Sequence, residues 1–308
     1  MNDLGNDPEK HPGIDLRRSN RFSSLSCLCL GAASLFFAPH SLAAQATPDS
    51  VASDPVPLVR RAAENELKSS SLHPYRYQLH KIDDGRISTK MIVETKDGDV
   101  ARLVAYGDKP LGPIGYQNEV DRLKTLLDHP EIQEHRRKRE QEDSNRANEM
   151  IRMLPDAFLY HSEGLVDGPS GPAFRLTLKP NPSFHPPDRE AEVYAGMEGE
   201  LWIDQKQERM VRLDVHLIDD VNFGWGILGK LYKGGSILVE QKDVGDGHWE
   251  QFHFKMDLHG KALMFKTLNL STTEDESDFA PVSAGWGYQD AVKFLLAQNP
   301  PMGPPAQN

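Results

Sequence analysis

Alternation between apolar and polar residues, sustained from Gly199 to Leu270, constrains this chain more than any other feature. It runs through GELWIDQKQERMVRLDVHL and, after a glycine-rich break, through SILVEQKDVGDGHWEQFHFKMDLHGKALMFKTLNL. Leu201 and Ile203 fall on one side, as do Val211, Leu213, Val215 and Leu217, then Ile237 and Val239. Phe252, Phe254, Met256 and Leu258 follow, then Leu263 and Phe265. A period of two is the signature of antiparallel strands with one buried face. Few groups of catalytic type interrupt the pattern, so the expectation is a sheet that holds an apolar ligand rather than one that carries out chemistry.

The first 46 residues read as a leader outside the fold. Arg17, Arg18 and Arg21 precede an apolar run from Leu25 to Phe37, and small residues follow at Ser41, Ala43, Ala44 and Ala46. That is the charged, apolar, small-residue order of a secretory signal peptide. The apolar run is shorter than the about 20 residues a membrane helix needs. Both cysteines, Cys27 and Cys29, lie inside the leader, so the exported chain is expected to carry no disulfide and no lipid-anchored cysteine. The net charge of −11 argues against nucleic acid and against anionic membrane surfaces as partners. The expected location is periplasmic or secreted.

Residues 47–56 read as a flexible leader, followed by a short helix opened by Pro57, with Val59, Ala62, Ala63 and Leu67 on roughly one face. Asp84-Gly85 and Asp97-Gly98 separate three alternating runs (Tyr75–Leu79, Ile87–Thr95, Val100–Tyr106), a strong hairpin signal. Residues 117–154 read as helical with a break at Pro130 and an end at Pro155. The middle of that segment is polar almost all round and holds His135, Arg136, Arg137, Lys138 and Arg139. It reads as a solvated or bridging helix, with docking onto a phosphate or a protein partner as the alternative. Strands resume at Ala157–His161 and Phe174–Leu178 around a Gly/Pro-rich loop, and PNPSFHPP at 180–187 is irregular. EDESD at 274–278 reads as an acidic loop. Tyr288, Ala291, Val292 and Leu295 mark a last amphipathic helix, and the tail from 298 reads as disordered. The domain expected is 57–297.

Gly224, Gly226 and Gly229 match a dinucleotide pattern, but Gly234-Gly235 and antiparallel hairpins follow where a helix is required. The stretch fits a glycine-rich loop presenting Trp225, Ile227, Leu228 and Leu231, either at the mouth of a cavity or as a tightly packed turn. His248, His253 and His259 have no ligand spacing, so no metal and no cofactor are expected. Glu198, Glu200, Asp204, Asp214, Asp219 and Asp220 read as solvated or turn-capping acids. With no GxSxG elbow and no exported cysteine, no enzyme is expected. Trp202 and Trp249 fall on the second face of the sheet, where a covering helix or a partner surface would meet them.

The order helix, strand meander, long helix and larger antiparallel sheet resembles the periplasmic lipoprotein-carrier fold of LolA, LolB and the RseB sensor. GELWID, the polar turn QKQE and RMVRLDVHL carry the local likeness, with VETKDGDVARLV and HGKALMFK as similar pieces. The resemblance covers residues 58–297. It implies an α+β fold, a half-open antiparallel β-barrel with helices over its concave face and an apolar cavity for acyl chains. The partner it implies is a lipid or an acylated protein, with an envelope protein as the alternative. On the two grounds together, the ligand-binding residues expected are Trp225, Ile227, Leu228, Leu231, Phe252, Phe254 and Phe265.

Overall fold

The computed structural model describes residues 47–69, 74–223, 229–262 and 266–298. The chain opens with α1 (Pro48–Ser53) and α2 (Val56–Ser69). A meander of β1 (Tyr75–Asp83), β2 (Arg86–Val93) and β3 (Val100–Tyr106) follows, with a short edge piece β4 (Lys109–Pro110). Helices α3 (Pro113–Asp128) and α4 (Pro130–Ala157) lead to β5 (Phe158–Gly168), β6 (Gly171–Pro180), β7 (Met197–Asp204) and β8 (Met210–Leu217). After the small hairpin β9 (Val221–Phe223) and β10 (Gly229–Leu231) come β11 (Ser236–Gly245), β12 (His248–Ala262), β13 (Lys266–Pro281) and α5 (Tyr288–Ala297).

Among the described residues all thirteen strands join one antiparallel sheet, in the order β4-β3-β2-β1-β13-β12-β11-β8-β7-β6-β5, with β9 and β10 branching from β12. The join between β1 and β13 fuses the first meander to the larger set of strands. The sheet does not close on itself. This is the unclosed antiparallel α+β architecture expected from the sequence.

The inner face of β5–β8 is buried under helices. Leu58, Val59, Ala62 and Ala63 of α2 and Ile151, Leu154 and Ala157 of α4 pack with Phe174, Leu176, Leu178, Leu201, Ile203, Met210, Val215 and Leu217. Two tyrosines pin α4 there: Tyr194 donates to the Met150 carbonyl at 2.8 Å and Tyr160 to the Leu154 carbonyl at 2.7 Å. Burial pushes both phenols well up, so they stay protonated donors. Helix α5 lies on the other face, where Tyr288, Ala291, Val292 and Leu295 meet Val93 and Val100. The helices therefore divide between the two faces, because Met91 and Val93 alternate with Lys90 and Ile92.

Helix α3 guards an edge. Beyond its brief pairing with β4, β3 would expose free backbone groups. Glu119 accepts from the Leu103 N–H at 3.0 Å, and Arg122 donates to the Ala101 carbonyl at 2.5 Å while pairing with Glu119. Burial pushes the Glu119 carboxyl up, but the Arg122 and Leu103 hydrogen bonds win and hold it below the usual carboxylate value. A folded pKa below the unfolded one stabilises above the unfolded value of 4.5 and is lost as pH falls through the folded value. An acid titration of stability from about pH 6 to about pH 3 should therefore fall less steeply in Glu119→Gln than in the native chain. Equal slopes would rule the edge pair out as a pH-dependent contributor.

Several sequence expectations change. The 47–56 segment contains α1, capped by Thr47, because Val51 finds a place in the main core. Pro155 lies inside α4, two residues before its end, where few intrahelical bonds remain to be lost. The loop expected between the strands after α4 shrinks to a tight hairpin, since β5 and β6 pair out to Gly168 and Gly171. EDESD is not a loop: it continues β13, with Glu274 and Glu276 buried on the inner face below Leu270 and Thr272. Val211 leaves the set of Leu213, Val215 and Leu217, because a bulge opposite Trp202 and Ile203 turns it towards Ala173, Trp202 and Trp249. The cluster around the two tryptophans is built from strand residues, with Trp249 bonding Gln207 at 2.9 Å and Arg212 over Trp202 at 5.6 Å.

Candidate functional site

The register of the sheet lines up a row of inner-face residues across eight strands: Leu176, Leu201, Leu213, Val239, Phe254, Glu274, Lys81 and Ser88. A second row reads Gly199, Val215, Ile237, Met256, Thr272 and Asp83. The first row changes character twice. At its β6–β7 end Leu176 and Leu201 are completely buried under α2 and α4. In the middle Leu213, Val239 and Phe254, with Ile237 and Met256 of the second row, are only half-buried. At the far end the row becomes charged.

Half-buried apolar residues at the centre of an eleven-strand path are unusual, because the centre is where burial should be deepest. Glu66 of α2 reaches Gln241 of β11 at 3.5 Å, and Leu213, Ile237 and Met256 pack on the margin of the main core, whereas Val239 and Phe254 join none of the buried clusters among the described residues. The outer part of α4 reaches across to the other end of the sheet. There Gln133 donates to the Asp97 carbonyl at 3.1 Å and Glu140 accepts from the Asp99 N–H at 3.2 Å, both at the β2–β3 turn. The middle of α4 thus bridges rather than packs, which is why its sequence is polar. Arg137 and Lys138 pair with Glu134 on its exposed side.

The charged end is built from alternate residues of β13, β1 and β2. Lys81 pairs with Glu274 at 2.8 Å, the two side chains 11% and 1% exposed. Glu276 lies beside Leu79, and Leu79 beside Lys90, in the next row. Gln251 donates to Glu276 at 3.5 Å. Among the described residues this is the only face on which strand-borne glutamates are buried.

Leu231, expected to bind ligand, is buried in the main core opposite Gly260. Phe254 stands in the half-buried row. Phe252 does not stand beside it: a bulge at Gln241 leaves Phe252 without a cross-strand partner, and its ring lies 4.9 Å from the Lys242 ammonium, on the outer face with Glu240. Trp225, Ile227, Leu228 and Phe265 lie outside the described residues. The charged end was missed altogether. Its signal was present, since Leu270, Thr272, Glu274 and Glu276 keep the period of two through the acidic stretch.

The acids of the outer face make ion pairs and turn caps. Arg175 pairs with Glu200, Arg212 with Glu240 and Asp214, and His253 with Asp275 at 2.7 Å. Asp204 caps the β7–β8 turn through the Lys206 N–H at 3.0 Å, and Asp220 takes Lys230 at 2.7 Å. Among the described residues no group of three or more histidine, cysteine, aspartate or glutamate side chains is arranged to hold a metal.

Two solved structures align with most of this chain. One is an outer membrane lipoprotein-sorting protein domain from Vibrio parahaemolyticus, 12% identical at a TM-score of 0.30, covering 78% of this chain and 98% of that one. The other is a DUF1329 family protein from Desulfovibrio piger ATCC 29098, 10% identical at a TM-score of 0.26, covering 75% of this chain and 92% of that one. No protein-family model and no curated protein matches the chain. At these TM-scores the two alignments carry no argument about function.

Proposed function

We propose that this is a non-catalytic protein of the cell envelope that holds the acyl chain of a lipid or of an acylated protein against the inner face of its sheet. The observation that carries this reading is the half-buried row Leu213, Val239 and Phe254, with Ile237 and Met256 beside it. A domain gains about 25 cal/mol for each Å² of apolar surface it removes from water, so a central apolar strip left partly exposed forgoes stability. A ligand restores it, at about 0.8 kcal/mol for each CH₂ buried. The signal-peptide order within residues 1–46 supports export, and no helix among the described residues is long and apolar enough to cross a membrane. The working domain is residues 57–297 with α1 packed on its core.

Native mass spectrometry of the exported chain, with organic extraction of whatever co-purifies, tests the reading. A stoichiometric acyl-bearing ligand is the expected result. A mass that stays ligand-free after challenge with phospholipid and fatty acid would sink it. Val239→Asp places a carboxylate in the middle of the strip and should abolish the co-purifying ligand. Because Val239 is only partly buried, its thermal midpoint should move by only a few degrees, about 1–2 kcal/mol.

A further inference from the structure

At the charged end of the inner face, four cations from four elements converge. Lys81 comes from β1, Lys90 from β2, Arg122 from α3 and Arg136 from α4. Lys81 and Lys90 share the inner face, Arg122 is tied to the Ala101 carbonyl of β3, and Gln133 and Glu140, on either side of Arg136, seat α4 on the β2–β3 turn. In that arrangement Lys81, Arg122 and Arg136 all repel the Lys90 ammonium. Two of the four have partners: Lys81 holds Glu274, and Arg122 holds Glu119 and the Ala101 carbonyl. Lys90 and Arg136 have none within hydrogen-bond or ion-pair distance among the described residues, although both are half-buried.

The acids nearby are committed elsewhere. Glu119 serves Arg122 and the Leu103 N–H, Glu274 serves Lys81, Glu140 takes the Asp99 N–H, and Glu276 takes the Gln251 amide. A cation taken out of water beside other cations is costly unless an anion meets it. Burial first, and then Lys81, Arg136 and Arg122, pull Lys90 below the ordinary lysine value against Glu119; burial likewise pulls Arg136 down, with Arg122 and Arg139 and against Glu140 and Asp99. The protein keeps the two charges in place all the same.

From the same inner face comes the link to the apolar strip. Lys90 is separated from Phe254 by three strand spacings, β2 to β1 to β13 to β12, or about 14 Å at about 4.8 Å each. One ligand can therefore lie across both. We infer that Lys90 and Arg136 form a head-group site for a singly acylated amphiphile whose polar end is a carboxylate or a phosphate, its chain lying along Phe254, Val239 and Leu213. This rests on the acyl-binding reading and adds the charge of the ligand to it.

Three probes of one chain length separate the possibilities: palmitate, the lysophosphatidate bearing a palmitoyl chain, and monopalmitoylglycerol, which has no charge. Titrated into the delipidated, exported full-length chain, the anionic probes should bind about tenfold or more tighter than the glyceride, since a hydrogen bond to a charged group contributes about 1.5–3 kcal/mol. Whichever anion binds tighter identifies the head group. Lys90→Met and Arg136→Gln should each remove about tenfold of that preference and leave glyceride binding unchanged. The unliganded Lys90→Met protein should melt a few degrees higher than the native one, because a buried cation among cations has been removed.

Equal affinity of native protein for all three probes overturns the head-group site and leaves the acyl-binding reading standing. So does a variant that weakens anionic and neutral probes alike. A lower melting point for Lys90→Met also overturns it, since that would show a structural partner. Failure of every probe to bind removes both readings together.

Discussion

Replacing Glu66 with alanine should lower the stability of this protein by about 3–5 kcal/mol, a large part of what a domain normally has. Glu66 on α2 accepts from Nε and Nη2 of Arg209, at 2.9 and 2.8 Å, and from the Met210 N–H at 2.8 Å. The two side chains are only 5% and 8% exposed. Truncating the acid leaves the guanidinium buried without its counter-charge and a strand N–H without an acceptor, which is the costly way to break a buried pair. It also unties α2 from the start of β8. Thermal denaturation followed by circular dichroism should show a midpoint about 10 °C lower, at about 2–4 °C per kcal/mol for a domain of this size. Converting both partners to methionine together should recover most of that loss, because no charge is then stranded. A single mutant within about 2 °C of the native midpoint would mean that the pair is not closed in solution.

The second large effect is expected at Gly199. A Cβ added there would lie 2.0 Å from the Asp214 carbonyl oxygen and 2.8 Å from the Val215 Cα. Both are backbone atoms of the partner strand, so no side-chain rotation relieves the clash. Gly199 pairs directly with Val215, in the strand pair that carries Leu201 and Leu213. Gly199→Ala must either push β7 and β8 apart or shift their register, and a one-residue shift would turn every side chain of β7 to the other face. A loss at or above the top of the about 1–3 kcal/mol range for overpacking is expected, together with weaker ligand binding through the displaced Leu213. Chemical denaturation of the variant checks the first, and titration with the palmitoyl probes the second. An unchanged denaturation midpoint would mean that the two strands are spaced more widely than their pairing indicates.

These two positions show what could be read from the chain in advance. Alternation placed Leu201, Ile203, Leu213 and Val215 on one face, and the structure puts them in one core. The Asp-Gly pairs set two turns of the first meander, because few other residues tolerate the positive φ seen at Asp84, Gly85 and Gly98. Nothing local marked Gly199 as a close-approach residue, since the atom it must avoid belongs to another strand. The same holds for Glu66, which reads as an ordinary polar residue on a helix until Arg209 arrives from 143 positions away.

Of the candidate site, Phe254 was legible and its neighbours were partly so. Phe252 shared its period and still went to the other face, because one extra residue at a bulge reverses the count. Val211 was misplaced for the same reason. The buried Glu274 and Glu276 were hidden by composition: a run of acids resembles a loop, and only the pairing of β13 between β1 and β12 makes it a central strand. There its inner residues lie within the fold, and Lys81 supplies the counter-charge to Glu274.

The sequence by itself determined the strand-rich class, the turns, the helices and the face that alternation assigns, because those follow from backbone geometry over a few residues. The tertiary structure decided which strands became central, where bulges reversed a face, and how four cations from separate elements came to lie together. Those outcomes depend on pairing between segments far apart in the chain, and local periodicity holds no record of which distant strand will be the neighbour.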